Sequence, residues 1–321
     1  MKFIYLDQWC WISIRDTLRD TLLGKNCDTN YLNFIKIAKK NIARKIWAFP
    51  LSIWHLEETK NTGDDNRRIS LAKTQQEFAD NWYISSFQHI RDPELQCAIN
   101  GKTLNKDAVI HRDISGMFGT TRKEMIEEAL SSVGISRDGT VSKLYEELLL
   151  KLFPTSFTNF LSLAIDYSPL GKSSQVKHLE SLKELDVERK LTKYEMLMIN
   201  LKDYYPSQHG LIVKNLFPQI ETLGRIKARE KIVEYFKKFP SFYVDSMLLY
   251  EHVRSKQSKK LFCKNDFLDI VFLSVAIPYC DIVITERHWK RQAEKQNLGQ
   301  IYNTIILDSV GDIDELYTHL S

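Results

Sequence analysis

Acidic side chains follow two short apolar runs, one at the start of the sequence and one in its last quarter. Asp7 directly follows the run at positions 3–6, and Thr285 and Glu286 directly follow the run at positions 282–284. Short runs of this kind are typical of buried strands in a parallel sheet. Because open α/β sheets bind ligands beyond the carboxyl ends of their strands, Asp7 and Glu286 are candidates for catalysis or metal binding.

Two further acids, Asp266 and Asp269, lie on a predicted helix. Residues three apart on a helix share one face, so the two carboxylates are expected to point the same way. Asp269 is flanked by apolar residues, where an ionised carboxylate needs a partner. Asp266 has an equally good explanation as a first-turn acid that the helix dipole stabilises. We therefore expect function at Asp269 and leave both explanations open for Asp266.

Glu57 and Glu58 form a third acidic segment, on a helix that Ser52 can cap. Adjacent helical residues point about 100° apart, so at most one of the two carboxylates faces a given site. His55, one turn before Glu58, is expected to be a hydrogen-bonded histidine inside the fold.

Grouped carboxylates repel one another and stay ionised only beside a compensating cation. Mg²⁺ and Mn²⁺ prefer oxygen ligands, and they often use few carboxylates together with waters and substrate phosphates. The acids are not accompanied by a His/Cys ligand set of the kind that binds zinc. These residue types therefore indicate metal-assisted cleavage of phosphodiester bonds.

Cationic residues flank the acids. Arg287 and His288 follow Glu286 directly, and Lys264 precedes Asp266. Such groups are commonly solvated surfaces, and that explanation is as good here as a functional one. As functional residues, they would bind the substrate phosphate.

Composition sets broad limits. The hydrophobic (43%) and charged (27%) fractions are ordinary, and the net charge of +4 permits nucleic-acid binding without indicating it. Five cysteines without a CxxC pair disfavour a disulfide framework and a structural zinc site, so we expect a cytoplasmic protein. No apolar stretch of the sequence approaches the length needed to span a bilayer, so we expect no membrane segment. The absence of P-loop, GxGxxG and GxSxG motifs leaves little support for nucleotide-cradling loops or serine hydrolysis.

The order of predicted elements indicates an α/β fold. The first sixty residues predict strand, helix, helix, strand and helix, which implies a parallel sheet. Further strands are expected at 281–285 and 304–307, with a last helix at 313–320. We expect a twisted parallel sheet of four to five strands flanked by helices, formed by residues 1–65 and 240–321, with a large all-helical insertion lobe at residues 66–239.

Four segments taken together resemble one family. They are Ile4-Tyr5-Leu6-Asp7, Pro50-Leu51-Ser52 with His55-Leu56-Glu57-Glu58-Thr59, Asp269 with Leu273-Ser274 and Ala276, and Asp281-Ile282-Val283-Ile284-Thr285-Glu286. In this order they are similar to the four acidic segments of the PIN-like domain, a nuclease fold of toxin ribonucleases and RNA-processing enzymes. The resemblance covers roughly residues 1–60 and 243–321. The chain departs from the family at Gln8 and Trp9, and many members place an aspartate where this chain has Arg287.

The resemblance implies a Mg²⁺- or Mn²⁺-dependent endonuclease that acts on RNA rather than DNA, with a toxin- or defence-like ribonuclease as one form of it. The implied catalytic acids are Asp7, Glu58, Asp269 and Glu286, with Asp266 as a further metal ligand. Spacing from Ser52 favours Glu58 over Glu57. Arg287, His288 and Lys264 would hold the substrate phosphate.

Two other functions are left open. One is a catalytically inactive PIN-like module that binds nucleic acid or protein, and the other is an α/β interaction protein whose acids are structural. A protein inhibitor or a second copy of the chain would be a further partner.

Overall fold

The structure, a computed structural model, describes residues 1–118, 172–204, 221–255 and 264–313, with residues 124, 157 and 158 and alternate residues of 212–220 between them. The strands are β1 (Lys2–Leu6), β2 (Trp47–Ala48), β3 (Tyr83–Ile84), β4 (Ile110–His111), β5 (Ile282–Ile284) and β6 (Ile305–Leu307). The α-helices are α1 (Gln8–Leu22), α2 (Thr29–Ala43), α3 (Ile53–Lys60), α4 (Asp65–Ala79), α5 (Phe87–Ile99), α6 (Lys172–Arg189), α7 (Lys193–Tyr204), α8 (Arg225–Phe236), α9 (Pro240–Arg254), α10 (Lys264–Tyr279), α11 (Arg287–Lys295) and α12 (Leu298–Tyr302). Short 3₁₀ helices lie at Lys106–Ala108 and Ile114–Phe118.

Four of these strands form a parallel sheet in the order β2-β1-β5-β6. Lys2 lies opposite Trp47 and Phe3 opposite Ala48, with β1 and β2 parallel. A parallel pair needs a long crossover connection, which α1 and α2 supply here. The predicted α/β class, with a parallel sheet flanked by helices, is therefore confirmed, and of the four to five strands expected the sheet has four.

The chain divides into two compact units. The first comprises Met1–Ser86, Lys106–Ile165 and Leu307–Ser321. Its core contains edge-on aromatic pairs, in which the ring of Trp11 lies 6.3 Å from that of Phe49 and 6.2 Å from that of Phe78. All three rings are buried. Such geometry favours ring pairs beyond their burial alone, and it fixes α1 and α4 around the residues that follow β2.

The second unit comprises Phe87–Asn105 and Asp166–Ile306. Its centre is the pair α9 and α10, which contact each other closely. Helix α9 is buried on nearly every side, as expected for a helix in the middle of a unit. The predicted division at residues 65 and 240, with its insertion lobe, stays a prediction.

The described part of the middle region is not purely helical. Strands β3 and β4 pair in antiparallel fashion, with Tyr83 opposite His111 and Ile84 opposite Ile110. The sequence predicts only helices there, so that expectation is wrong for these residues. Two residues are too few to show the alternating pattern by which a strand is identified.

The last predicted helix, at 313–320, lies outside the described residues except for its first position. Among the helices that the structure describes, none combines the length and the apolar character needed to cross a bilayer.

Candidate functional site

Asp7 lies where β1 ends and α1 begins. Its backbone is extended, and its Oδ1 accepts a hydrogen bond from the Gln8 backbone N–H at 2.7 Å. The residue is therefore the N-cap of α1, where a carboxylate is stabilised by the positive end of the helix dipole. Its side chain is half-buried. Asp7 thus has a structural role in addition to any catalytic one.

His55 ties the end of β1 to the start of α3. Its Nε2 donates to the Leu6 carbonyl at 2.8 Å, and its Nδ1 accepts from the Ser52 backbone N–H at 2.9 Å. Burial lowers the pKa of His55 to about 4, so the ring is neutral near pH 7. The expectation of a hydrogen-bonded histidine inside the fold is confirmed. This contact places α3 beside the strand end that carries Asp7.

The inward face of α3 favours Glu58 over Glu57. Thr59 is fully buried, and its Oγ1 accepts from Gln8 Nε2 at 3.2 Å, so His55 and Thr59 mark the face turned toward α1. At about 100° per residue, Glu58 points about 60° from His55, whereas Glu57 points about 160° from both marker residues. The Glu57 carboxylate instead lies 3.4 Å from Asn61 Nδ2 on its own helix.

A ring of three buried side chains joins α1, α3 and α4. Gln8 Nε2 donates to Thr59 Oγ1, Thr59 Oγ1 donates to Gln75 Oε1 at 2.9 Å, and Gln75 Nε2 donates to Gln8 Oε1 at 3.1 Å. Each bond runs in the same direction around the ring, so the bonds polarise one another. Asp7 is next to Gln8 in sequence and Glu58 is next to Thr59, so these hydrogen bonds restrict the movement of the backbone that carries the two acids.

Asp269 lies on α10 among buried apolar residues, and its own side chain is half-buried. Its Oδ2 accepts a hydrogen bond at 3.0 Å from Nε1 of Trp289, a residue of α11 that is 1% exposed. One partner of this carboxylate is therefore an uncharged indole donor, which helps to fix its orientation.

Asp266 lies one turn before Asp269. Its Oδ2 is 3.7 Å from Nε2 of the buried His252. The His252 ring is tilted against that of Trp289 at 5.2 Å between centroids. The two acids of α10 therefore face one group of aromatic and imidazole rings, in agreement with their predicted common face.

Glu286 is exposed and is the N-cap of α11. Arg287 is also exposed, and His288 is half-buried, with its Nε2 2.7 Å from Gln292 Nε2. Burial, followed by the nearby His252, lowers the pKa of His288, so this residue adds no charge near pH 7. The side chain of Lys264 lies outside the described residues.

A cavity of about 660 Å³ opens between the end of α9 and the side of α11. It is lined by Arg254, Arg287, Arg291 and Lys295, together with His288 and Gln292. On α11 the cations recur at intervals of four residues and therefore share one face. Of these lining residues, the sequence analysis identifies only Arg287 and His288 as phosphate ligands. The four-residue spacing was visible in the sequence, but the contribution of Arg254 from another helix was not.

The acidic side chains have the donor chemistry that a divalent ion such as Mg²⁺ prefers. Among the described residues, no group of three or more His, Cys, Asp or Glu side chains is arranged to hold a metal ion. The acids nevertheless supply hard oxygen donors, and Mg²⁺ commonly binds through one or two carboxylates, with waters and substrate phosphates completing its shell. Asp269, oriented by a hydrogen bond from a neighbouring side chain, fits such an ion, because ligating carboxylates are commonly held in this way.

Comparison with known proteins identifies no relative: no protein-family model, no curated protein and no solved structure matches the chain.

Proposed function

We propose that the protein is a divalent-metal-dependent endonuclease that hydrolyses phosphodiester bonds in RNA. The observation that carries the proposal is Asp269, a half-buried carboxylate on an apolar helix, oriented by a buried indole. A carboxylate oriented in this way by a neighbouring side chain is typical of metal-binding sites, where ligating carboxylates are themselves hydrogen-bonded.

The acidic residues of the proposed enzyme are Asp7, Glu58, Asp269 and Glu286, with Asp266 as an auxiliary ligand. Mg²⁺ or Mn²⁺ would supply positive charge beside the scissile phosphate. The chain itself orients the carboxylates, through the helix cap at Asp7 and the indole at Asp269. Arg287 would neutralise phosphate oxygens. His288, being neutral, would contribute a ring N–H as a hydrogen-bond donor.

The choice of RNA, and the membership of the PIN-like family, rest on the resemblance of the four acidic segments. A cytoplasmic setting agrees with the free thiols of the described cysteines, Cys10, Cys27, Cys97 and Cys280, since free thiols are typical of reducing compartments. A protein inhibitor or a second copy of the chain is proposed as a further partner.

A second candidate is a catalytically inactive PIN-like module that binds nucleic acid. It is favoured by the absence of a three-residue ligand group among the described residues. It also agrees with the contact between Asp266 and His252, which gives one of the acids a structural role.

The test is cleavage of one structured and one unstructured RNA in Mn²⁺, in Mg²⁺ and in EDTA. Wild type is compared with Asp7→Asn and Asp269→Asn, each checked for folding by circular dichroism. We expect cleavage that requires the metal and falls at least a hundredfold in both variants. Folded wild-type protein that binds RNA but cleaves neither substrate in either metal would establish the inactive module instead.

A further inference from the structure

We propose that the cationic cavity between α9 and α11 binds phosphate esters, and that its ligand is the sugar–phosphate strand of the substrate beside the cleaved bond. The identification of the ligand as the substrate strand rests on the proposed nuclease function. The proposal that the cavity binds phosphate esters does not depend on that function. Three arginines and one lysine line the cavity. Two of them, Arg254 and Arg291, are contributed by different helices and lie outside the four acidic segments.

The lining of the cavity is predominantly cationic. None of the described residues that line it is acidic. Glu251 lies beside the cavity, with its Oε2 3.4 Å from Lys295 Nζ, and it also accepts from Gln296. Like charges held together raise the free energy of the folded protein, and a bound anion removes that cost.

The arginine at the end of α9 is held in a position suited to binding a phosphate group. Arg254 is held by its contact with the Leu191 carbonyl, at 3.4 Å, and by the Tyr250 ring, 5.0 Å away. A guanidinium fixed in this way can present two parallel N–H donors to phosphate oxygens. The cavity volume of about 660 Å³ lies in the range of sites that enclose a nucleotide-sized ligand.

The row of cations on α11 favours a strand over a single nucleotide. Arg287, Arg291 and Lys295 rise by about 6 Å from one to the next along the helix axis. A row of this kind suits successive phosphates of one extended strand, and strand binding of this type is strongly dependent on salt. A free nucleotide would engage only part of the row.

The experiment measures binding without cleavage. Fluorescence anisotropy of a labelled single-stranded 12-mer RNA is recorded in EDTA, over a series of salt concentrations. Wild type is compared with Arg291→Gln and Arg254→Gln, and with Arg225→Gln as the matched control, because Arg225 is an exposed cation of the same unit that does not line the cavity. Unlabelled AMP and inorganic phosphate are added as competitors in parallel.

We expect each cavity variant to weaken RNA binding about tenfold and to reduce the magnitude of the salt slope by about 0.7. The control should stay within twofold of wild type. Arg291 is exposed, so Arg291→Gln keeps the test valid if Arg254→Gln fails to fold. If wild type binds AMP but not RNA, and Arg291→Gln abolishes the binding of AMP, then the cavity is a phosphate-ester site but an RNA strand is not its ligand.

Unchanged binding of RNA, AMP and phosphate in both cavity variants would overturn the inference. The nuclease proposal fails separately, when wild type binds RNA through the cavity and cleaves nothing in Mn²⁺ or Mg²⁺. Conversely, both cavity variants could retain metal-dependent cleavage and bind RNA with wild-type affinity. That result would support the nuclease proposal and show that the cavity does not bind its substrate.

Discussion

The indole N–H of Trp289 donates to Oδ2 of Asp269 at 3.0 Å, across 20 positions of sequence. Trp289 lies two residues after Arg287, so the helix that begins beside Glu286 also orients the acid of α10. The bond fixes one carboxylate oxygen. It therefore connects the two acidic segments of the last quarter of the chain in one structural arrangement.

Replacing Trp289 by Phe removes this donor and keeps an aromatic ring. We expect metal-dependent cleavage to fall about 10- to 100-fold, as for other groups that orient a metal-binding side chain. The value of kcat/KM in Mn²⁺ measures this effect. Trp82→Phe is the matched control, since Trp82 packs on Phe3 in the other unit. Unchanged kcat/KM in the folded Trp289→Phe protein would show that the hydrogen bond serves stability alone.

The adjacent acids of α3 form a natural pair of variants. Glu58→Gln is expected to lower cleavage at least a hundredfold, whereas Glu57→Gln should remain within about threefold of wild type. The reason is the direction of the side chains, because Glu57 points away from the face marked by His55 and Thr59. Single-turnover cleavage assays distinguish the two. An equal loss in both variants would contradict the assignment.

Replacing His55 by Phe leaves the Leu6 carbonyl and the Ser52 N–H without their partner. We expect the free energy of unfolding to fall by about 2–4 kcal/mol, from two buried groups left unsatisfied. Because the folded pKa of about 4 lies below the ordinary value, the unfolded chain binds the proton more tightly. Wild-type stability from His55 is therefore present above about pH 6.5 and lost as pH falls toward 4. Urea unfolding at several pH values should show that this pH dependence of stability is absent in the His55→Phe variant.

Glu94 should impose the opposite pH dependence. This fully buried carboxyl accepts hydrogen bonds from the Ser241 N–H at 3.1 Å and from Tyr279, and burial raises its pKa to about 7. The folded value exceeds the unfolded one, so the neutral form is favoured in the fold. The contribution of Glu94 to the free energy of unfolding is present below about pH 4.5. It is lost as pH rises through 7, which lowers the free energy of unfolding by on the order of 3 kcal/mol.

Glu94→Gln keeps an oxygen acceptor and cannot ionise. The difference in unfolding free energy between wild type and variant, followed by urea titration from pH 4.5 to 8, should therefore move in favour of the variant as pH rises. A difference that is constant over this range would show that Glu94 is ionised in the folded protein at all these pH values.

Local patterns in the sequence were sufficient for the elements that carry the acids. The apolar run before Asp7 forms β1, the run before Thr285 forms β5, and Ser52 precedes the helix with Glu58. These elements depend on nearby residues, through burial periodicity and capping. The antiparallel pair β3–β4 was missed because its strands are formed by pairing across 26 residues rather than by any local pattern.

The sequence by itself determined which residue types follow each strand and which helical positions share a face. Only the tertiary structure decided their partners: the indole on Asp269, the Leu6 carbonyl on His55, and Arg254 beside the cations of α11. Hydrogen bonds across 20 or 49 positions depend on how elements pack and at which angle side chains meet. Local propensity carries no information on those contacts, because it is set within a few residues of the chain.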